Sequence, residues 1–305
     1  MVAQRTPAGP AATPGALRVE AAAVAPGRRT SGAASKAIYI AVLIVFTVLF
    51  IYPFIWLVSA SFKSLPDVFN NALIPNPPHT ENYTELIQKA PILNWAWNST
   101  IVTILAASTV TFSSALVAFA FSYFRFPGRN LLFGLVLATM LLPSMVTIIP
   151  NFLIWQALGF NNTLVPLWAG NLFASPFYIF LLRQFFLTLP RDVFEAARVD
   201  GANPLRIWWS IALPLTRAAL IVVFVFELKA AWTDLLKPLI FVHDVAQFTL
   251  PLGLKAIVDN SAIGGQKEWQ LLAAGGVIVT VPMIIVFFLG QRYFLEGIAT
   301  TGSKG

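Results

Sequence analysis

The sequence predicts an all-α membrane protein with six transmembrane helices, and three observations predict this class. Hydrophobic residues make up 57% of the 305 positions and charged residues only 11%, whereas soluble domains usually carry charge at about a quarter of their positions. Apolar runs long enough to cross a hydrocarbon core of roughly 30 Å recur along the chain. Short segments rich in proline, glycine and charge separate these runs. This pattern is typical of a polytopic membrane protein.

The first element is a tail, and the six-helix domain follows it. Residues 1–35 are rich in Ala, Pro, Gly and Arg and contain no apolar run, so we expect them to be disordered. Residues 36–305 form the predicted transmembrane domain. Its spans cover about 37–62, 97–122, 131–156, 163–187, 215–238 and 269–291.

Two of these spans contain prolines that should bend them. The third span contains Pro143 and Pro150, and the fourth contains Pro166 and Pro176. A proline inside a helix removes a backbone hydrogen bond and kinks the helix. Membranes tolerate such breaks where neighbouring helices supply partners for the freed backbone groups.

The distribution of Lys and Arg predicts the orientation, because positive charge concentrates on the cytoplasmic side of a membrane protein. Fourteen of these residues lie in the tail, the loop after the second span, the segment before the fifth span and the C-terminal end, and five lie on the opposite side. We therefore expect a multi-pass protein of a bacterial or archaeal plasma membrane with both termini in the cytoplasm. The long exported loops cover about 63–96 and 239–268.

The residue types present also limit the chemistry of the chain. There is no cysteine, and two histidines, His79 and His243, are too few for a histidine metal cluster. The P-loop pattern G-x-x-x-x-G-K-[ST] and the patterns H-E-x-x-H and G-x-S-x-G do not occur. The net charge of +7 comes from cations between apolar segments rather than from a basic patch for nucleic acid. We expect no catalytic residue, no metal, no cofactor and no nucleic-acid partner.

The longest charged interruption between spans covers about 188–214, and we call it the elbow. Its first half predicts a short helix that ends within the stretch Glu195–Gly201. Pro190 suits a first helical position, and Gly201 suits the left-handed residue just past a helix end.

The second half of the elbow predicts another short helix. Asn203 can cap it, and the helix should run from Leu205 to Leu213 and stop at Pro214. A helix–glycine–helix segment between two spans has a suitable shape for binding a partner, although a solvated loop is the plainer interpretation of a charged segment.

The order of residues in the elbow resembles the cytoplasmic signature of importer permeases in the ATP-binding-cassette superfamily. The matching residues are Glu195-Ala196-Ala197, Asp200-Gly201-Ala202 and Leu213-Pro214-Leu215. The resemblance implies a type I importer-permease fold and a coupling helix that docks in a cleft of a separate ATPase subunit. It assigns this coupling to Glu195, Ala196, Ala197, Asp200 and Gly201.

Other motifs resemble the carbohydrate branch of that family, in particular the smaller permease of maltose-type systems. They are Thr80-Glu-Asn-Tyr83, Asn98-Ser99 at the start of the second span, Arg125-Phe-Pro-Gly-Arg129, and Met140 to Pro150. The family commonly has W-N-E/D in the fifth span, where this chain has Trp232-Thr233-Asp234.

The resemblance implies a permease subunit that moves a sugar or oligosaccharide and that is not itself an enzyme. The implied partners are a second permease, two ATPase subunits, an extracytoplasmic solute-binding protein and membrane lipid. Glycerol-phosphate compounds are the close alternative substrate. A secondary transporter driven by an ion gradient is the alternative from a different class, although no internal repeat supports it.

The fifth span contains candidates for a substrate pathway, because ionisable residues inside a membrane are usually functional. Glu227 and Asp234 are seven residues apart, which places them on one face of a continuous helix, with Trp232 nearby. Carboxylates can accept hydrogen bonds from sugar hydroxyls, and an indole can stack on a sugar ring. In the alternative interpretation, Asp234 lies at the exported interface and Glu227 pairs with Lys229 or with a neighbouring subunit.

Overall fold

The structure is a computed structural model, and it describes residues 32–263 and 268–302. These residues form helices and connecting turns, without a β-strand. The predicted tail covers residues 1–35, and residues 1–31 of it lie outside the described part of the chain. The first helix begins at Ala33, which is slightly before the predicted domain boundary at residue 36.

Within the described residues, three single helices are long and apolar enough to cross a membrane: α1 (Ala33–Ser61), α3 (Ile92–Tyr123) and α14 (Trp269–Gly302). Three bent pairs bring the number of candidate spans to six. The first pair is α4 (Arg129–Thr139) with α5 (Ser144–Ala157), the second is α6 (Val165–Trp168) and a 3₁₀ turn with α7 (Pro176–Thr188), and the third ends in α11 (Arg217–Trp232). The prediction of an all-α fold with six spans is confirmed.

The shorter helices lie between the spans. They are α2 (Glu81–Lys89), α8 (Arg191–Val199), α9 (Pro204–Ile207), α10 (Leu213–Leu215), α12 (Leu236–Phe241) and α13 (Leu250–Ile263). The chain forms two compact units, one up to Ile51 and the other from Tyr52 onward. The first unit contains the first part of α1, whose apolar side chains are exposed, as suits a helix in lipid.

The third and fourth spans are both bent, but only some of their prolines lie at the bends. Pro143 precedes α5 at a 95° bend, whereas Pro150 lies within the continuous helix α5. Pro176 opens α7 just after a 41° bend, and Pro166 lies in the first turn of α6. Proline is well tolerated in a first turn, because the N–H that it lacks has no intrahelical partner there.

Helix α3 organises the second unit, since it packs against α7, α11 and α13. A buried cluster at one end of it includes Phe119, Leu182, Phe186, Trp208 and Val223. Close packing and side-chain hydrogen bonds, rather than exclusion of water, hold helices together within lipid. The contacts of α3 therefore decide where the fourth and fifth spans lie.

Candidate functional site

The first elbow helix, α8, has a sharply defined start. Pro190 has an extended backbone (φ −61°, ψ 128°) and precedes the helix, so the prediction that it takes the first helical position is off by one. The residue before a proline is held in an extended conformation, which agrees with ψ 140° at Leu189. Two successive extended residues leave Arg191 as the first helical residue.

The end of α8 is a Schellman motif, as a glycine just past a helix end suggests. Gly201 has φ +79°, the left-handed conformation that the sequence predicted. The Ala202 N–H donates to the Ala197 carbonyl at 2.9 Å, and the Gly201 N–H donates to the Arg198 carbonyl at 3.1 Å. These two bonds satisfy carbonyls at the helix end and fix the direction in which the chain leaves.

The second half of the elbow starts as predicted but ends later. The Asn203 side chain accepts a hydrogen bond from the Arg206 N–H at 2.8 Å and caps α9. A π-helical turn, Trp208–Ala212, then joins α9 to α10, so the helical path reaches Leu215. The prediction that Pro214 ends this helix is wrong. A wider turn just before a proline relieves the clash of its ring with the preceding helical turn, and Pro214 is accommodated.

The two faces of α8 differ. Phe194 and Ala197 face the transmembrane helices, where the Phe194 ring lies 6.3 Å from Phe119 and 5.9 Å from Tyr123. Ala196 is exposed on the outer side, and Val199 is 88% exposed. The sequence motif does not distinguish Ala196 from Ala197, but the two have different surroundings, because neighbouring positions on a helix point about 100° apart.

The elbow exposes large apolar groups as well as charged groups. Besides Val199, Leu205 is 63% exposed and Trp209 is 60% exposed. In the described part of the chain, six charged side chains of the elbow have no ion pair or side-chain hydrogen bond: Arg191, Asp192, Glu195, Arg198, Asp200 and Arg206. Exposed large apolar groups beside unpaired charges are typical of a protein-binding surface.

A cleft of about 460 Å³ lies between α8 and the ends of α3 and α7. Its aromatic lining includes Phe119, Tyr123, Phe186 and Phe194. Its charged lining consists of Arg125, Arg191, Glu195 and Arg198. We call it the arginine cleft.

A second polar site lies inside the transmembrane region, around Glu227 of α11. Its carboxylate accepts hydrogen bonds from the Asn171 amide at 2.7 Å and from the Tyr178 hydroxyl at 3.1 Å. Both donors flank the break of the fourth span, where Ala174 has φ +65°. This conformation is costly for any residue but glycine, so the surrounding bonds must hold it in place.

Helix α3 supplies further partners to the same break. The Ser113 hydroxyl donates to the Asn171 carbonyl at 3.0 Å, and the Ser175 N–H donates to the Ser114 hydroxyl at 3.1 Å. The Asn171 amide also donates to the Ala106 carbonyl at 3.2 Å. Side chains from neighbouring helices thus satisfy the backbone groups that the break would leave unpaired in lipid.

A family model described as "Binding-protein-dependent transport system inner membrane component" matches residues 110–299, which contain the elbow, the arginine cleft and Glu227. The chain belongs to this family. Membership in this family of transport components places the protein in a membrane and argues against an ion-driven secondary transporter.

Individual proteins that are similar to this chain are also described as transport components. "Probable ABC transporter permease protein YurM" of Bacillus subtilis is 32% identical over 86% of this chain and 87% of its own. "Diacetylchitobiose uptake system permease protein NgcG" of Streptomyces coelicolor is 32% identical over 83% of each chain. A crystal structure of a bacterial ABC transporter that imports the acidic polysaccharide alginate has the same fold, with a TM-score of 0.72 at 24% identity over 85% of this chain and 96% of that one.

The three residues predicted to form a substrate pathway, Glu227, Trp232 and Asp234, do not form one site in the structure. Helix α11 ends at Trp232, so Glu227 and Asp234 do not share a face of one continuous helix, and that prediction is wrong. The Asp234 carboxylate accepts bonds from the N–H groups of Leu236 and Lys237 at 3.0 and 3.2 Å. A carboxylate in this position starts a new helix, which explains the break in the span.

The other expectations for the fifth span also change. The indole N–H of Trp232 donates to the Val279 carbonyl at 3.0 Å, which joins α11 to α14. Asn171 and Tyr178, rather than Lys229, are the partners of Glu227. In the described part of the chain, no group of three or more His, Asp or Glu residues is placed to hold a metal ion.

The described part of the loop predicted over 239–268 contains the end of α12, a 3₁₀ turn (Val245–Gln247) and α13. Side chains at the start of α3 hold this segment in place. The Asn98 amide donates to the carbonyls of Ala246 and Phe248 at 2.9 and 3.0 Å, and the Ser99 hydroxyl accepts from the Leu250 N–H at 2.7 Å. The Trp95 indole donates to the Val245 carbonyl at 2.8 Å. The Asn98-Ser99 motif therefore caps and positions α13, a role that the sequence alone did not reveal.

The same loop is joined to α2 by an ion pair between Lys89 and Glu268. Lys89 also pairs with Glu85 at 2.6 Å. The hydrogen bonds that Lys89 donates to the carboxylates, first to Glu268 and then to Glu85, raise the pKa of Lys89 above its ordinary value. The Lys89 ammonium thus stays charged at any physiological pH.

The Thr80-Glu-Asn-Tyr83 motif has a similar structural role at the end of α1. The Asn82 amide, only 4% exposed, donates to the carbonyls of Ser61 and Lys63, both at 2.9 Å. The hydroxyls of Tyr83 and Ser61 hydrogen-bond at 2.8 Å. Helix-end carbonyls that have no intrahelical partner are satisfied in this way.

Proposed function

We propose that this chain is a permease subunit of an ATP-binding-cassette importer that moves a sugar or oligosaccharide across the plasma membrane. It pairs with a second permease, two ATPase subunits and an extracytoplasmic solute-binding protein, and ATP is hydrolysed on the separate ATPase subunits. Both termini and the elbow lie in the cytoplasm.

The outer side of the elbow is the observation that carries this proposal. Val199, Leu205 and Trp209 expose apolar groups next to charges without partners, and a protein-binding face accounts for both features. Glu195 pairs with a cation of the ATPase subunit, while Ala196 allows its backbone to approach closely. Asp200 and Gly201 end the docked helix, and Ala197 fixes its inner side to the transmembrane helices.

A continuous series of contacts leads from this face to the transmembrane region. The elbow helix from Pro204 to Leu215 meets α11 at an 81° bend. Glu227 of α11 in turn holds the broken fourth span through Asn171 and Tyr178. When ATP closes the ATPase pair, movement of the elbow shifts α11 and the break together, and the subunit turns from inward-facing to outward-facing.

The substrate class rests on the carbohydrate-branch motifs and on the oligosaccharide named for the Streptomyces relative. Of the three pathway residues, Glu227 is the candidate for substrate contact, because a shift of the fourth span frees its carboxylate. Trp232 and Asp234 contribute by shaping the end of α11. The loop at 239–268 meets the solute-binding protein.

Reconstitution with all partner subunits tests the proposal. Proteoliposomes are supplied with ATP inside, with the solute-binding protein outside, and with labelled sugars, oligosaccharides and sn-glycerol-3-phosphate in separate assays. We expect ATP-dependent uptake of a sugar or oligosaccharide. Uptake that needs an ion gradient and no ATP overturns the importer assignment, and uptake of sn-glycerol-3-phosphate alone overturns the sugar assignment.

A further inference from the structure

The arginine cleft has an excess of positive charge that the described part of the protein does not neutralise. Arg125, Arg191 and Arg198 face a single carboxylate, Glu195, and none of the four has an ion pair or side-chain hydrogen bond there. All four are exposed. An anionic group in the cleft would therefore meet guanidinium groups that are free to bind it.

Two neighbouring arginines outside the cleft lining do have partners. The Arg129 guanidinium donates to the Phe124 carbonyl at 3.1 Å. The Arg183 guanidinium lies 4.2 Å from the centre of the Phe133 ring and also donates to the Phe121 carbonyl at 3.4 Å. These two arginines stabilise the fold, whereas the three in the cleft remain available.

The turn after α3 contributes Arg125 to the cleft, and its shape is fixed by its own residues. Gly128 adopts φ +78°, and the Arg129 N–H donates to the Phe126 carbonyl at 3.3 Å. Together with the Arg129 side-chain bond to Phe124, these features hold Arg125 at the rim. The motif Arg125-Phe-Pro-Gly-Arg129 therefore supplies a cation next to the elbow, although it lies in a different loop.

The aromatic lining indicates that the occupant is more than a free anion. Rings of Phe119, Tyr123, Phe186 and Phe194 line the cleft beside the guanidinium groups. Such a surface suits a protein segment that places an apolar side chain against the rings and a carboxylate against the arginines. The cleft is continuous with α8, whose outer side is the proposed ATPase-binding face.

We propose that the arginine cleft receives a segment of the ATPase subunit that carries an Asp or Glu side chain beside an apolar residue. The inference rests on the proposed function and extends it. The docking surface includes the turn after α3 as well as the elbow, and the permease accepts a part of the ATPase subunit in addition to inserting its own helix.

The test uses the complete complex, purified with its ATPase subunit identified by mass spectrometry and by ATP hydrolysis. Arg125→Glu is compared with Lys36→Glu, which makes the same charge change elsewhere on the predicted cytoplasmic side. We expect Arg125→Glu to weaken binding of the ATPase subunit by about tenfold or more, and to make the remaining binding less sensitive to salt. Lys36→Glu leaves both unchanged.

Arg125→Lys provides a second measurement that does not depend on loss of binding. This variant keeps the charge and should assemble, and its amine can be joined to a touching carboxylate by a carbodiimide. In the Arg125→Lys complex, we expect a cross-link between the amine at position 125 and an Asp or Glu of the ATPase subunit. This cross-link should be absent from the wild-type complex. Lys36 is present in both complexes and serves as the internal control for reaction at a lysine outside the cleft.

Two results would overturn the inference separately from the proposed function. If the ATPase subunit binds the wild type and Arg125→Glu with equal affinity, or if the assembled Arg125→Lys complex gives no cross-link, the cleft is not its docking site. If the wild-type chain retains no ATPase subunit at all, the proposed function fails as well.

Discussion

Replacement of Gly201 by valine tests how the end of the elbow helix contributes to coupling. Gly201 has φ +79°, and no other heavy atom lies within 4 Å of where its Cβ would be. The cost of a side chain at this position is therefore confined to the backbone, and does not include a clash with neighbouring groups.

The magnitude follows from that conformation. An L-residue in the left-handed region costs about 1–2 kcal/mol, and β-branched residues such as valine lie at the upper end. Since about 1.4 kcal/mol changes an equilibrium tenfold, the ratio of native to non-native elbow ends falls about five- to thirtyfold when that cost is not offset by binding. The two Schellman bonds, donated by Ala202 and Gly201 to Ala197 and Arg198, are lost in the remainder.

The assay is ATP-driven uptake in proteoliposomes, together with the amount of protein inserted and the amount of ATPase subunit bound. We expect Gly201→Val to insert normally and to lose most uptake. Gly201→Asn should retain more activity, because asparagine tolerates the left-handed region. Gly134→Val is the matched control: Gly134 lies within helix α4 with no heavy atom within 4 Å of its Cβ position. Uptake by Gly201→Val equal to that of Gly134→Val would refute the reasoning.

Three further predictions concern the docking face and the loops. Glu195→Lys should abolish ATP-driven uptake while the protein still inserts, and normal uptake by an assembled complex would contradict the coupling role. Asn82→Ala removes two hydrogen bonds donated by a buried amide and should lower the free energy of unfolding by about 1–3 kcal/mol. The measurement is a lower Tm, and the control Asn94→Ala, which removes one exposed hydrogen bond, should change the Tm less. Gly253→Ala places a Cβ 2.0 Å from a tryptophan ring and should reduce stimulation of the ATPase by the solute-binding protein, whereas Gly276→Ala, with a nearest contact of 3.2 Å, should not. Equal stimulation in these two glycine variants would show that the ring contact is unimportant.

The number of spans and the capping of the elbow could be predicted because both depend on local patterns. An apolar run of sufficient length, a glycine past a helix end and an asparagine before a proline have the same meaning in most surroundings. The effects of single prolines could not be predicted in the same way. Pro150 lies in a continuous helix and Pro214 is accommodated after a π-turn, and these outcomes depend on how the rest of the helix adjusts.

The candidate site was predicted in position but not in orientation. The sequence located the elbow, whereas only the packing of Phe194 on α3 decides that Ala197 faces inward and Ala196 outward. The partners of Glu227 were not predictable, since Asn171 and Tyr178 lie 56 and 49 residues away along the chain. A hydrogen bond between side chains that are far apart in the sequence leaves no periodic pattern that would reveal it.

The break in the fourth span has a consequence for how the protein is made. Its freed backbone groups would each cost several kcal/mol in lipid if they were unpaired, and Ser113 and Ser114 of the second span pair with two of them. These serines are synthesised about 60 residues before the break. They are therefore already present as partners for the freed backbone groups when the fourth span enters the membrane. Glu227 is synthesised later and completes the site. The order of the chain thus matches the order in which the broken helix needs its partners.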